Sequence, residues 1–263
     1  MFLPKIFLSC DDVFFEFARP VVLAWRKFFP HISISLTLVS NNTEKLSKLE
    51  DLDIELQSLP LINGFPVQNL AKLGRLFSIS SEKSDLFGMI EDIDTAPLQS
   101  KFLNRIFSEI TTDRLVAVGH EVYKDMCFGK FPMSNFCGPV QLFKELINPN
   151  NLLWENWIAS LSTIVSEDGK ERPQVDPSRF SDESTIRKLI NITAFGDKIK
   201  KVERQADIYN EWIDRSWWNI DMEKLYSEKY ILVNFLRPCI NNFYNMKPVF
   251  DFIYNKDTKI DDI

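Results

Sequence analysis

LFGMIEDIDTAPL, residues 86 to 98, opens with Leu86, Phe87, Met89 and Ile90 and then turns abruptly acidic at Glu91, Asp92 and Asp94. The apolar letters follow no helical period, so residues 86–93 read as a buried strand whose C-terminal end carries the acidic cluster. If the chain stays extended there, Asp92 and Asp94 at i and i+2 share one side of it. Working back toward the N-terminus, KIFLS at 5–9 is a second β-rich run. Residues 13–29 then take up helical spacing behind Asp11 and Asp12, with Pro20 forcing a kink or a late start. ISISLTLV at 32–39 and residues 54–59 read as further strands, and 67–79 as a helix that groups Leu70, Leu73, Leu76 and Phe77 on one face. Strands alternating with helices predict an α/β fold, a Rossmann-like arrangement with a mainly parallel central sheet flanked by helices. Such sheets bind ligands outside the carboxyl ends of their strands, where the acidic cluster falls.

Working forward, residues 99–110 predict a helix, 115–118 a strand, and 138–147 another helix entered through the loop 131–135. The polar, Pro-containing segment 166–180 reads as a loop or flap, and 255–263 as a frayed tail. No internal repeat interrupts this order, so residues 1–254 are expected to form a single domain with 255–263 as a flexible tail.

Composition removes several function classes. The 263 residues carry 31 Lys and Arg against 37 Asp and Glu, a net charge of −6, so the chain lacks the positive field that non-specific nucleic-acid or anionic-membrane binding relies on. Its eight glycines nowhere take the G-x-G-x-x-G or Walker A spacing. Two histidines, His31 and His120, exclude H-E-x-x-H zinc chemistry. The four cysteines (Cys10, Cys127, Cys137 and Cys239) form no C-x-x-C pair and read as reduced thiols, although a Cys127–Cys137 bridge is compatible with the spacing. No signal peptide and no apolar run of membrane-spanning length is found, which predicts a cytoplasmic protein with no nucleic-acid partner and no membrane span.

Two carboxylates close together with open coordination positions suit Mn²⁺ or Mg²⁺ bound jointly with a diphosphate, and a solvated turn accounts for the same letters. The helix at 67–79 places Lys72 and Arg75 on one edge at i and i+3, where they reach a diphosphate or a sugar if they are not simply solvated.

The order of segments resembles that of GT-A-type glycosyltransferases. The likeness runs from the first strand, through the helix ending Trp25-Arg26-Lys27-Phe28 and the helix carrying Gln68, Lys72 and Arg75, to the strand closed by Asp92-Ile93-Asp94-Thr95-Ala96-Pro97-Leu98. In the C-terminal third, Ile213-Asp214-Arg215-Ser216-Trp217, Tyr230-Ile231 and Arg237-Pro238 are similar to patterns of a branch of sugar transferases, some of them encoded by large DNA viruses, which would place the chain in a host cytoplasm. The resemblance covers roughly residues 5–240. It implies a GT-A-like domain that takes a nucleotide-sugar donor, a UDP-sugar first of all, and a glycan acceptor. By the same resemblance Ser9, Cys10 and Asp11 meet base and ribose, and Gln68, Lys72, Arg75, Asp92 and Arg215 meet the donor. Asp92, Asp94 and Asn234 would hold the cation, with Asn234 standing where that branch has a histidine. Asp182, Glu183 and Asp214 would serve the acceptor side, and Gly138 could let donor or acceptor approach the backbone, although a loop-to-helix junction needs no ligand to account for a glycine.

Local structure explains some of these residues equally well: Asp11 or Asp12 as a helix cap, Ser181 as a cap followed by an acidic first turn. Indole faces among Trp154, Trp157, Trp212, Trp217 and Trp218 could stack on sugar, most of them being expected in the core. The resulting expectation is metal-assisted sugar transfer to a carbohydrate hydroxyl. Its rivals are a sugar-phosphate nucleotidyltransferase, which normally carries a Gly-rich loop where this chain has Ser9-Cys10-Asp11-Asp12-Val13, and an inactive glycan- or nucleotide-sugar-binding protein of the same fold.

Overall fold

Five short strands of the first hundred residues build the frame of the site. A computed structural model of the chain describes residues 3–119, 131–162, 181–193, 195–203 and 211–259. His120, Cys127, the polar loop 166–180 and the end of the tail lie outside the described residues.

β1 (Lys5–Cys10), β2 (Ile34–Val39), β3 (Glu55–Leu59) and β4 (Phe87–Ile90) run parallel, as the alternation predicts. They are joined by β6 (Leu115–Val118), β7 (Phe136–Pro139) and β8 (Ile199–Val202) in a seven-stranded sheet of order β3-β2-β1-β4-β7-β6-β8, in which β7 alone runs antiparallel to its neighbours.

The sheet is covered on both faces, so alternate residues of one strand enter different cores. Ile6, Leu8 and Cys10 of β1 pack with Val21 and Trp25 of α1 (Ala18–Phe28), Leu103 of α3 (Lys101–Ser108) and Phe250 of α8 (Phe243–Tyr254). Phe7 faces the opposite layer. There it meets Leu73 and Leu76 of α2 (Val67–Ser81), Phe143 of α4 (Val140–Ile147), Trp157 of α5 (Trp154–Ser162) and Ile186 of α6 (Asp182–Ile192). A further short helix, α7, spans Met222–Tyr226.

Pro20 is the third residue of α1, in the first turn where a missing N–H costs nothing, so the helix starts late. A 3-10 turn, Phe14–Phe17, fills the gap, and its first amides are taken by Asp11, whose Oδ1 accepts from Val13 N at 3.0 Å and Phe14 N at 2.9 Å.

Three sequence expectations change. The chain does not stay extended through Asp94: Thr95 N donates to Asp92 O at 3.1 Å, closing a turn. The turn sends the chain into β5 (Thr95–Pro97), which belongs to a separate three-stranded sheet with β9 (Trp212–Ile213) and β10 (Leu232–Asn234). Asp92 and Asp94 are therefore brought together by a turn and not by strand alternation.

The helix expected from 138 begins at Val140, because Phe136–Pro139 is a buried strand. Gly138 has φ +151°, and a Cβ there would lie 3.0 Å from the carbonyl oxygen of Arg114 and 2.9 Å from the Leu115 side chain. Its bareness serves the close approach of β7 to β6, in place of the ligand approach expected from sequence.

The tail also differs from its reading. Thr258 is buried and donates its backbone N–H to Asp251 Oδ1 at 2.7 Å, so the described part of 255–263 docks on the end of α8. Cys10, Cys137 and Cys239 are buried free thiols. Trp154, Trp157 and Trp212 are buried in the cores and present no face to a sugar. Among the described residues no helix is long and apolar enough to cross a membrane.

Candidate functional site

In the order β3-β2-β1-β4 the chain leaves β1 toward one edge and returns across it to β4, so strand order reverses between β1 and β4. A crevice opens outside the carboxyl ends of two parallel strands at such a reversal. This protein has its pocket there, lined by Ser9, Cys10, Asp11, Phe14, Gln68, Ala71, Lys72, Arg75, Asp92, Ile93, Asp94 and Arg237.

The wall from β1 and α2 is held by a close contact. Ser9 Oγ donates to Ala71 O at 2.6 Å, and a Cβ at Gly74 would stand 2.5 Å from that hydroxyl, so the glycine lets α2 settle on β1. Cys10 is buried and its thiol is pushed well above its usual range, first by burial and then by Asp11 and Asp12, so it is no nucleophile. Asp11 spends Oδ1 on the turn that follows, and Asp12 binds Ser40 and Lys45.

Arg75 is buried rather than solvated. Its Nε donates to Asp182 Oδ2 at 3.0 Å, Nη2 reaches the same oxygen, and Nη1 donates to Asp92 Oδ1 at 2.7 Å. Burial works against the charge of Arg75, but Asp182 and Asp92 outweigh it and keep the guanidinium protonated. Asp92 is likewise opposed by burial and drawn below the usual carboxylate range by Arg75, with help from Arg215 and Arg237. Asp182 heads α6 beside the Ser181–Ser184 capping box, so the cap and the ion pair both hold in this structure. Glu183 follows it on the same turn.

Asp94 is buried, and its Oδ2 accepts from Arg215 Nη1 and from both Nε (2.5 Å) and Nη2 of Arg237. Asn234 sits opposite Thr95 in the β5–β10 pairing, where its Oδ1 accepts from Thr95 Oγ1 at 2.8 Å and its Nδ2 donates to Asp214 Oδ2 at 3.1 Å. Asp214 caps the short turn Arg215–Trp217 through Ser216 N at 2.8 Å. Burial raises its pKa, and the hydrogen bonds from Ser216 and Asn234 pull it below normal.

Glu91, at the base of the cluster, is wholly buried. Oε1 accepts from Ser134 Oγ and from Asp92 N at 2.9 Å, while Oε2 has no hydrogen-bond partner among the described residues. Burial, then the neighbouring Asp92, pushes it up to about 8, so it is mainly protonated at neutral pH.

The crevice thus gathers Ser9, Cys10, Asp11, Gln68, Lys72, Arg75, Asp92 and Asp94. Asp182 stands behind Arg75, and Arg215, Asn234 and Asp214 stand behind Asp94 and Thr95. Phe14 and Arg237 were missed as site residues. The legible signal was the acidic pair itself, since carboxylates that become buried require cations from somewhere in the chain.

The donors offered to a divalent cation at this corner are one oxygen of Asp92 and one of Asp94, each the partner of an oxygen already engaged by arginine. The Asn234 amide is committed at both ends. Three guanidinium charges already balance the three carboxylates of Asp92, Asp94 and Asp182, and a cation entering between them meets the arginines at hydrogen-bond range. Among the described residues no group of three or more His, Cys, Asp or Glu side chains converges as a cage. The Mn²⁺ or Mg²⁺ site expected from Asp92, Asp94 and Asn234 does not fit these surroundings.

No protein-family model and no curated protein matches the chain. Among solved structures, the galactosyltransferase LgtC in complex with donor and acceptor sugar analogs aligns with 97% of this chain and 97% of its own, at 9% identity and a TM-score of 0.51. The glycosyltransferase GlyE of Streptococcus pneumoniae TIGR4 in its apo form aligns over 78% of this chain at 12% identity and a TM-score of 0.49. The chain spans less than half the length of that protein, 46%. The bifunctional glycosyltransferase WbbM aligns over 89% of this chain and 45% of its own, at 11% identity and a TM-score of 0.44. At these identities the likeness to LgtC shows the fold alone, and that fold is the GT-A-like α/β arrangement read from the sequence.

Proposed function

We propose that the protein is a glycosyltransferase that moves a sugar from a nucleoside-diphosphate sugar, a UDP-sugar first of all, to a hydroxyl of a glycan acceptor. The observation that carries this reading is the meeting of Arg75, Arg215 and Arg237 with Asp92 and Asp94 at the reversal between β1 and β4, with Lys72 lining the same crevice. A crevice at that point suits a nucleotide, and fixed cations in it stabilise the charge that grows on a departing diphosphate without reorganising during the reaction.

In this reading the end of β1, with Ser9 and Asp11 beside Phe14, receives the nucleoside, and Gln68 and Lys72 on the exposed edge of α2 face the phosphates and sugar. Arg75 is too enclosed to leave its two carboxylates and acts by fixing Asp92 in place. Asp182, committed to Arg75, positions that arginine. Glu183 and Asp214 are the carboxylates proposed for the acceptor side, and Asp214 is held in its basic, ionised form by Ser216 and Asn234.

Release of nucleoside diphosphate from UDP- and GDP-sugars, or of CMP from a CMP-sugar, with and without simple saccharide acceptors, tests the reading. Release from one donor, accelerated by an acceptor and lost in Asp94→Asn, is expected. Silence with every donor, together with no thermal shift from any of the free nucleotides, would remove it.

A further inference from the structure

Asp94 Oδ2 carries an imbalance. A carboxylate oxygen offers about two lone-pair sites, yet three N–H groups converge on this one: Nη1 of Arg215, Nε of Arg237 and Nη2 of Arg237. Donors outnumber acceptors at this oxygen, and among the described residues no other acceptor takes up the remaining N–H groups of the two guanidinium groups. The pair is also reachable, since the side chains of Arg215 and Arg237 are 38% and 42% exposed while the carboxylate that holds them is 3% exposed. Arg237 is steadied from behind by the ring of Phe14, 4.5 Å from its centre, and both residues line the crevice. Surplus planar donors fixed by an enclosed carboxylate, those of Arg237 on the wall of the pocket and those of Arg215 beside them on the same Asp94 oxygen, form a receptor for a polyanion with several oxygens.

Accepting the transferase reading above, we propose that Arg215 and Arg237, held on Asp94, receive the diphosphate of the donor, and that this chain therefore binds its nucleotide without a divalent cation. Asp94 then serves as the residue that orients two arginines and does not ligate metal. The positive charge that a cation would bring is already supplied by the protein, and the committed Asn234 amide is consistent with a corner that no longer needs a third ligand.

The test is isothermal titration and thermal shift on the full chain with UDP, GDP and UMP, each in EDTA and in MnCl₂. One nucleoside diphosphate should bind with affinities that agree within about twofold between the two conditions, and UMP, lacking the second phosphate, should bind much more weakly. Arg237→Ala and Arg215→Ala should each weaken binding in EDTA roughly 10- to 100-fold, the range expected for losing a charged hydrogen bond. The unliganded melting temperature of each variant should stay near that of the parent, which separates lost contact from lost fold. Raising the salt concentration should weaken the parent more than either variant. Binding that appears only with Mn²⁺, or that survives in both variants, overturns the proposal and leaves the transferase reading standing. No binding of any nucleotide under either condition overturns both.

Discussion

Asp92 and Asp94 stand two residues apart on one turn, yet the arginines they meet belong to different kinds of structure. Arg75 is sealed between α2 and α6, its side chain 5% exposed and its partner Asp182 2% exposed, while its second carboxylate, Asp92, reaches the crevice at 44% exposed. Arg215 and Arg237 come from the C-terminal segment around β9 and β10, stay open to solvent, and crowd a single oxygen. A buried arginine cannot turn to a ligand without abandoning two carboxylates. A half-exposed arginine with spare donors can. Guanidinium–carboxylate pairs that look alike as letters are thus a structural pin on one side and, on the other, the half-exposed pair proposed to receive a ligand, and exposure decides which.

The contrast is broken most directly at Arg75. Arg75→Met should leave Asp182 buried without a charged partner and cost about 3–5 kcal/mol in urea unfolding. Adding Asp182→Leu should recover a good part of that loss, because an apolar pair of similar volume needs no neutralisation; a double variant as unstable as the single one would show that the pair is not a pin. Asp94→Asn comes next. It weakens two guanidinium contacts at an enclosed acceptor, with an expected loss of about 1–3 kcal/mol, and a larger loss than that of Arg75→Met would invert the comparison.

Glu91 sharpens the buried side through pH. The folded chain keeps its proton up to about 8, whereas an ordinary glutamic acid releases it near 4.5, so across that interval unfolding releases a proton and stability falls as pH rises. Melting temperature followed from pH 5 to pH 8.5 should therefore fall for the parent and flatten in Glu91→Gln; identical slopes would mean that Glu91 ionises as easily in the fold as outside it. The smallest effect on stability belongs to the open side. Arg237→Ala and Arg215→Ala should each change unfolding free energy by less than about 1 kcal/mol, as half-exposed ion pairs do, and a loss of the size expected for Arg75 would make them pins as well.

What sequence could say about these regions follows the same division. β1 to β4, α1 and α2 were legible because each is announced within a dozen residues by alternation, helical period or a capping letter. Asp11 and Ser181 as caps are of this kind, being satisfied by amides two or three positions away. The strand Phe136–Pro139 was missed, with Gly138 and Pro139 read as the start of a helix, because four residues have no room to show a period and the glycine answers to Arg114 and Leu115, distant in sequence. Arg237 was passed over as a site residue for a related reason: its partner lies 143 positions away.

The letters alone determined that strands would alternate with helices, that a parallel sheet would be buried on both faces, and that the acidic turn would close its fourth strand at the carboxyl edge of the sheet. All of these are consequences of short-range burial and hydrogen bonding, which leave a periodic trace in the chain. Only the tertiary structure decided what neutralises each carboxylate, because Arg75 and Asp182 lie 107 positions apart and meet through the order of strands and the packing of α6 on α2. Charge acts through space without leaving a period along the backbone, so pairing and exposure, and with them the chemistry open to Asp92 and Asp94, had to wait for the fold.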